Sequence, residues 1–385
     1  MKKRADNIRI GVATFPMEEA SLTPFANTLA ILSAISDDIH VIAGNAGAGV
    51  VSDAGLSLNR VDHMPGKNCF SRAMNYARTQ LKITRVVIKL DKEVDVWVFP
   101  VGGDALFPAM LYARLSGKPV ILALASSAEK MFGARFDPLE KIAALFTSIN
   151  YALASRIVVY SENIIKEWGL LKYRNKISLA YEHFLDFDKF TLSQELPERK
   201  NVIGYIGRLS AEKGIMNLIQ AIPEVLNRQD AGFFIIGDGQ LKDRITAFIG
   251  DGKLEKRVQM TGWVSHEKLP DYLNEMKLLV LPSYTEGLPN IMLEAMACGT
   301  PVLTTPVGAI PDVIKDNQTG FLMKDNTPET ISESIIAALE SPKAGKIAAN
   351  ARALVSNYFT YENAVSQYRQ IFNDLWETRQ PSEDS

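Results

Sequence analysis

The sequence predicts an α/β protein made of two doubly wound parallel-sheet halves. Short apolar runs alternate with amphipathic helical segments, and a polar stretch near the middle interrupts the alternation before it restarts. Length agrees, because 385 residues exceed what one hydrophobic core of ordinary size holds.

In the first half, Ile8–Phe15 reads as a strand, residues 27–35 as a helix with Leu29 and Leu32 on one side, and Ile39–Ala43 as a second strand. Residues 46–59 are Gly-rich and show no clear period. Residues 71–90 carry a helical pattern that runs into a strand-like Val86-Val87-Ile88. Asp95–Pro100 is a strand feeding the loop Val101-Gly102-Gly103-Asp104, and a helix follows over 106–115. Pro119–Ala125 is a buried strand, 139–153 an amphipathic helix, and 156–160 and 176–180 two further strands. Residues 186–200 are polar, contain Pro197 and end in Glu198-Arg199-Lys200, the composition of a domain linker.

The second half restarts with a strand over 201–206 and a helix over 215–226, whose Ile215, Leu218, Ile219, Ile222 and Val225 fall at helical spacing. Strands follow at 232–236 and 258–262, a helix at 269–276 and a buried strand at 277–282. A short helix comes next, with Pro289 suited to its first position and Gly299 to a left-handed residue just past its end. Strands at 301–305 and 320–323, helices at 328–339, 346–358 and 362–376, and a polar tail from Arg379 complete the chain. The predicted division is residues 1–190, residues 191–358 and a closing helical segment over 359–378. Two such halves imply a cleft, with ligands bound beyond the carboxyl ends of the strands.

Composition narrows the function. With 47% hydrophobic and 22% charged residues, the chain is an ordinary globular protein. A net charge of −2 argues against nucleic-acid binding, which wants a strong basic excess. Cys69 and Cys298 are too few for a disulfide framework and suit a reducing compartment. The basic start does not continue into the apolar stretch of a signal peptide, and no run of about 18 apolar residues suggests a membrane span. The expected location is therefore cytoplasmic, with peripheral attachment to the inner membrane face left open. His40, His63, His183 and His266 are scattered, without partners at ligand spacing, so neither a metal nor another cofactor is expected. His183 reads as structural or exposed.

The loops after the second-half strands carry the chemistry. Gly207-Arg208 and Lys213-Gly214 place a guanidinium and an ammonium five positions apart, a clamp for a diphosphate, although two solvated surface charges would look the same. Gly237-Asp238-Gly239 begins like a dinucleotide fingerprint but has Lys242 where the third glycine belongs, which counts against a nicotinamide site. It reads either as a plain tight turn or as backbone in contact with a nucleotide. Around the short helix, Glu286 sits in the loop before it and Glu294 about one turn inside. The helix N-terminus offers free N–H groups to a phosphate, and Glu294 can accept two ribose hydroxyl hydrogens. The plainer reading of the two acids is a dipole interaction worth tenths of a kcal/mol.

Taken together these stretches resemble the C-terminal half of retaining GT-B glycosyltransferases of the large family four. The residues that match are Gly207-Arg208, Lys213-Gly214, Gly237-Asp238-Gly239, Glu286 to Val302 with seven residues between the two glutamates, Val307 to Ile314, and Thr319-Gly320. The resemblance implies two Rossmann-like domains, the first for an acceptor and the second for a nucleoside-diphosphate sugar. It implies that Arg208 and Lys213 hold the diphosphate and act in catalysis with Glu286, which meets the donor sugar. Glu294 would hold the ribose, and Gly207, Gly237, Gly239, Gly287, Leu288 and Asn290 would line the donor site. The helix over 362–376 is similar to the family's crossover helix. The implied enzyme is a metal-independent retaining hexosyltransferase of polysaccharide or glycolipid synthesis, acting on a glycan, lipid-linked or small-molecule acceptor.

The first half departs from the family pattern. Phe15 to Ser21 stands where a Gly-Gly loop is usual, and Ala125 falls at the position of a common histidine, in Leu124-Ala125-Ser126-Ser127-Ala128. Two alternatives therefore stay open: an epimerase or phosphorylase on the same scaffold, and a non-catalytic nucleotide-sugar-binding subunit. A last stripe lies outside these motifs. Arg78, Lys82, Arg85 and Lys89 recur at helical spacing among Leu81, Ile83, Val86, Val87 and Ile88, a basic face suited to anionic lipid headgroups if the segment is helical. A solvated helix face followed by a strand is the plainer reading.

Overall fold

The computed structural model describes residues 8–124 and 138–377. The chain divides into two compact units, Met1–Phe184 with Tyr361–Ser385, and Leu185–Thr360.

The first unit is built on a seven-stranded sheet whose paired strands all run parallel, in the order β3-β2-β1-β4-β5-β6-β7. The strands are β1 (Ile10–Ala13), β2 (Ile39–Ala43), β3 (Ser57–Arg60), β4 (Val96–Phe99), β5 (Val120–Ala123), β6 (Arg156–Val159) and β7 (Ile177–Leu179). β1, β4 and β5 are buried at every position, the signature of a parallel sheet covered on both faces. The helices are α1 (Leu22–Ser33), α2 (Gly47–Asp53), α3 (Cys69–Lys89), α4 (Phe107–Leu115), α5 (Pro138–Leu153) and α6 (Glu162–Glu167).

The second unit repeats the plan with six parallel strands in the order β10-β9-β8-β11-β12-β13. These are β8 (Val202–Ile206), β9 (Gly232–Ile236), β10 (Val258–Gly262), β11 (Leu278–Leu281), β12 (Val302–Thr304) and β13 (Phe321–Leu322). Its helices are α7 (Ile215–Arg228), α8 (Lys242–Asp251), α9 (Leu269–Glu275), α10 (Asn290–Ala297), α11 (Ile310–Val313), α12 (Pro328–Glu340) and α13 (Ala344–Tyr358). The last helix, α14 (Tyr361–Glu377), packs within the first unit. There Tyr368 and Phe372 enter the core, Tyr361 donates to Ala30 O at 2.9 Å, and Gln367 Oε1 accepts from Tyr181 N–H.

Several expectations need correction. The unpatterned stretch 46–59 holds α2 and β3, both too short for periodicity to show. Helix α1 starts at Leu22, five residues before the expected position. The helix from residue 71 does not give way to a strand at Val86. It runs unbroken from Cys69 to Lys89, opened by a capping box in which Ser71 N–H donates to Asn68 Oδ1 and Asn68 N–H to Ser71 Oγ. Val87 joins Ile83 on the buried side of that helix, so the β-branched run is a packing face. The polar stretch 186–200 is a packed strap of the second unit, with Phe190 and Arg199 buried and Ser193 N–H donating to Asn274 Oδ1. Ala125 to Ala128 lie outside the described residues, as do the first seven residues and the polar tail. His183 is buried against Tyr160, with ring centroids 5.3 Å apart, and burial pushes the neighbouring Glu182 carboxyl up to about 7.

Candidate functional site

Strand order places the site. In the second sheet the chain winds outward from β8 through β9 to β10, and from β11 through β12 to β13. The reversal lies between β8 and β11, which pair directly, and the crevice beyond such a switch point is where these sheets take ligands. The loop after β8 carries Gly207, Arg208 and Lys213, and the loop after β11 carries Glu286 to Pro289 and leads into α10.

These loops meet through an ion pair. Lys213 Nζ donates to both carboxylate oxygens of Glu286, at 2.7 and 2.8 Å, and Ser283 Oγ donates to Oε1 at 2.7 Å. Glu286 is almost fully shielded and Lys213 largely so. Arg208 is exposed, its Nη1 3.6 Å from Glu212 Oε1. Each cation of the expected clamp therefore already faces a carboxylate. Tyr205 props the loop by donating its hydroxyl to Arg208 O at 2.7 Å, and burial followed by the charge of Glu286 pushes that hydroxyl's pKa upward.

The glycines after β9 answer to a neighbour. A Cβ on Gly237 would fall 1.9 Å from Gly207 O, and one on Gly239 2.5 Å from Leu209 O. Leu209 N–H donates to Asp238 O and Gly207 N–H to Ile236 O. These glycines let the two loops lie backbone to backbone, which is enough to require them without any ligand. Gly287 and Asn290 are partly exposed beside Glu286, and Leu288 is buried. Pro289 stands at the N-cap of α10, one place before the expected first helical position, while Gly299 takes the left-handed conformation expected of it at φ 68°. Met292 N–H already donates to Pro289 O at 3.1 Å, and the amides of Asn290 and Ile291, which have no acceptor in the helical ladder, are available to an anion.

Glu294 is buried on α10, and its Oε1 lies 2.8 Å from His266 Nε2. His266 sits just beyond β10, and Lys189 of the strap reaches its Nδ1 at 3.0 Å. Sequence reading missed both. The signal for His266 was its place in a loop just after a strand; Lys189 gave none, because a strap residue has no motif. The structure thus gathers Lys213, Ser283 and Glu286 at the mouth of β8 and β11, and Lys189, His266 and Glu294 in a second group. Among the described residues no group of three or more His, Cys, Asp or Glu side chains could hold a metal ion. None of their helices is long and apolar enough to cross a membrane.

Residues 186–354 match the family described as glycosyl transferases group 1. The chain is 28% identical over 290 residues to the alpha-D-kanosaminyltransferase of Streptomyces kanamyceticus, covering 71% of this chain and 75% of that one. It is 27% identical over 228 residues to the N-acetyl-alpha-D-glucosaminyl L-malate synthase of Bacillus anthracis, a match that spans 57% of this chain and 59% of that protein, less than two thirds of its length. The fold is similar to that of Anabaena HepE in complex with UDP, with a TM-score of 0.75 at 16% identity over 95% of this chain and 100% of that one.

Proposed function

We propose that the chain, whose residues 186–354 match the family described as glycosyl transferases group 1, moves a sugar from a nucleoside-diphosphate sugar to an acceptor with retention of anomeric configuration. The observation that carries the proposal is the arrangement of two shielded glutamates, one on each side of the N-terminus of α10, each held by a different donor. In this reading Glu294 accepts the ribose hydroxyls, and the Leu288 and Asn290 amides meet the phosphates; Pro289 has no amide to give. Lys213 turns from Glu286 to the diphosphate, with Arg208 beside it. As the bond to the sugar breaks, negative charge builds on the leaving diphosphate, and these two cations stabilise it in place of a metal ion. Glu286, released from Lys213, faces the donor sugar. The relatives' names are transferase and synthase names, which favours transfer over epimerisation, phosphorolysis or passive binding.

The test is a thermal-shift screen of UDP, GDP and ADP with EDTA present. One of the three is expected to stabilise the protein, by about 2.7 kcal/mol at about 100 times its dissociation constant. Glu294→Ala is expected to weaken that nucleotide at least about tenfold, in line with a lost charged hydrogen bond. No shift with any diphosphate, or a shift only with Mg²⁺, overturns the donor site as drawn.

A peripheral membrane contact belongs to the same proposal. On α3 the residues Arg78, Lys82, Arg85 and Lys89 are all exposed, and so are Phe70 at 76% and Leu81 at 52%. Ile83 and Val87 hold the opposite side in the core. Cations interleaved with exposed apolar side chains suit an anionic lipid surface, and with it a lipid-linked acceptor. The wild type is expected to sediment with anionic vesicles and not with zwitterionic ones, and a variant with the four cations changed to Glu should stay in solution. Equal partitioning removes the membrane from the proposal.

A further inference from the structure

His266 has a second neighbour that decides what its ring can do. Its Nδ1 lies 3.0 Å from Lys189 Nζ and its Nε2 2.8 Å from Glu294 Oε1. A lysine ammonium has protons to give and no lone pair with which to accept. Nδ1 is therefore the bare, accepting nitrogen, and the ring's one proton sits on Nε2, pointed at the carboxylate. The ends agree, because a carboxylate can accept this proton and has none of its own to offer.

The ring is also held sideways. Phe190 is buried, and its ring centroid lies 5.2 Å from that of His266 at an interplanar angle of 56°. Lys189 is fixed in turn by Glu267 Oε1 at 2.6 Å, and its backbone N–H donates to Asp186 Oδ1 at 3.1 Å. Although His266 is itself exposed, at 58% of its side chain, an ammonium on one nitrogen and an aromatic ring at its side fix the ring against Glu294.

We infer that His266 is a positioning residue for donor binding: with its tautomer set by Lys189, it holds Glu294 Oε1 and leaves Oε2 to accept the ribose hydroxyls. This rests on the reading of Glu294 as the ribose ligand. A carboxylate has about four lone-pair sites, so one hydrogen bond from His266 still leaves room for both hydroxyls of a ribose. Without His266 the carboxylate turns freely about its last torsion, and the two hydroxyls no longer find their acceptors in place.

The experiment uses the full chain, with UDP and 2′-deoxy-UDP as probes, or the GDP or ADP pair if the thermal-shift screen selects that base. Calorimetry is run on the wild type and on the variants His266→Ala, His266→Gln and Glu294→Ala. The wild type is expected to prefer the ribonucleotide. His266→Ala is expected to lose about tenfold in affinity for UDP, the loss of one hydrogen bond to a charged group, and little for 2′-deoxy-UDP, so the discrimination collapses. His266→Gln retains a side-chain N–H and is expected to recover most of the preference. A structural role alone would weaken both nucleotides equally. If His266→Ala binds UDP as well as the wild type, or more tightly, while Glu294→Ala does not, His266 is idle or an obstacle and the inference fails alone. If Glu294→Ala leaves UDP affinity unchanged, the ribose reading fails and the inference falls with it.

Discussion

Under the proposed function, Glu286→Gln is expected to lower sugar transfer by about 100- to 1,000-fold, the cost of removing one electrostatic contact at a reacting centre, while the nucleoside diphosphate that the thermal-shift screen selects binds as tightly as before or more tightly. The reason is the competition for Lys213 that the proposed function sets up. Lys213 gives two hydrogen bonds to Glu286, at 2.7 and 2.8 Å, and under the proposed function a diphosphate would have to take that ammonium over. The amide keeps the size of the carboxylate and an oxygen for Ser283, but it removes the charge that holds Lys213. The mirror change behaves differently. Lys213→Ala removes a diphosphate ligand and also leaves Glu286 shielded, uncompensated and facing incoming negative charge. Its affinity loss is therefore larger than one contact explains, about 2–5 kcal/mol by analogy with truncated charge pairs. The double variant Lys213→Ala with Glu286→Gln no longer carries the stranded charge, and it is expected to recover part of that loss. Calorimetric titration of the nucleoside diphosphate selected by the screen into the four proteins gives the coupling. Purely additive losses would mean that the pair does not gate the diphosphate.

This competition was not legible in the sequence, although all its members were. Arg208, Lys213 and Glu286 stood out because they occupy loops after strands, and Glu294 because it lies one turn into the helix that such a loop opens; the doubly wound plan puts such loops at one edge of the sheet. That plan was itself readable, since β8, β9 and β11 are apolar runs bounded by turn residues. The partners were not readable. Lys213 and Glu286 are 73 positions apart, and whether they face a ligand or each other depends on how β8 and β11 pair. The glycines after β9 were ambiguous for a related reason, because the backbone of another loop already requires them. On α3, Val86 to Ile88 suggested a strand from β-branched composition, and the buried helical pair Ile83 and Val87 overrode it.

The polar strap was hidden most completely, and it gives the second large effect. Arg199 looked like part of a charged linker run. It is 3% exposed, and its guanidinium donates to the carbonyls of Gln194, Leu273, Met276 and Cys298 and to Thr300 Oγ1 at 2.7–3.2 Å. One side chain thereby ties the strap to the end of α9 and to the turn that follows α10. Burial lowers its pKa to about 10, which leaves the group charged at neutral pH. Arg199→Ala leaves those acceptors buried without their donor, together with a cavity. The expected cost is about 3–5 kcal/mol, as for breaking other buried charged networks. For a unit of this size that is a fall in melting temperature of roughly 10 °C, read by calorimetry as early unfolding of the second unit. Arg199→Lys tests whether charge or shape matters. Its three protons sit on one nitrogen and cannot span carbonyls that approach a planar fork from separate directions, so it is expected to recover less than half of the loss. A lysine variant as stable as the wild type would show that positive charge alone holds the strap. A drop of under about 3 °C for the alanine variant, near 1 kcal/mol, would mean that the strap is held by Phe190 and the Asn274 contacts instead.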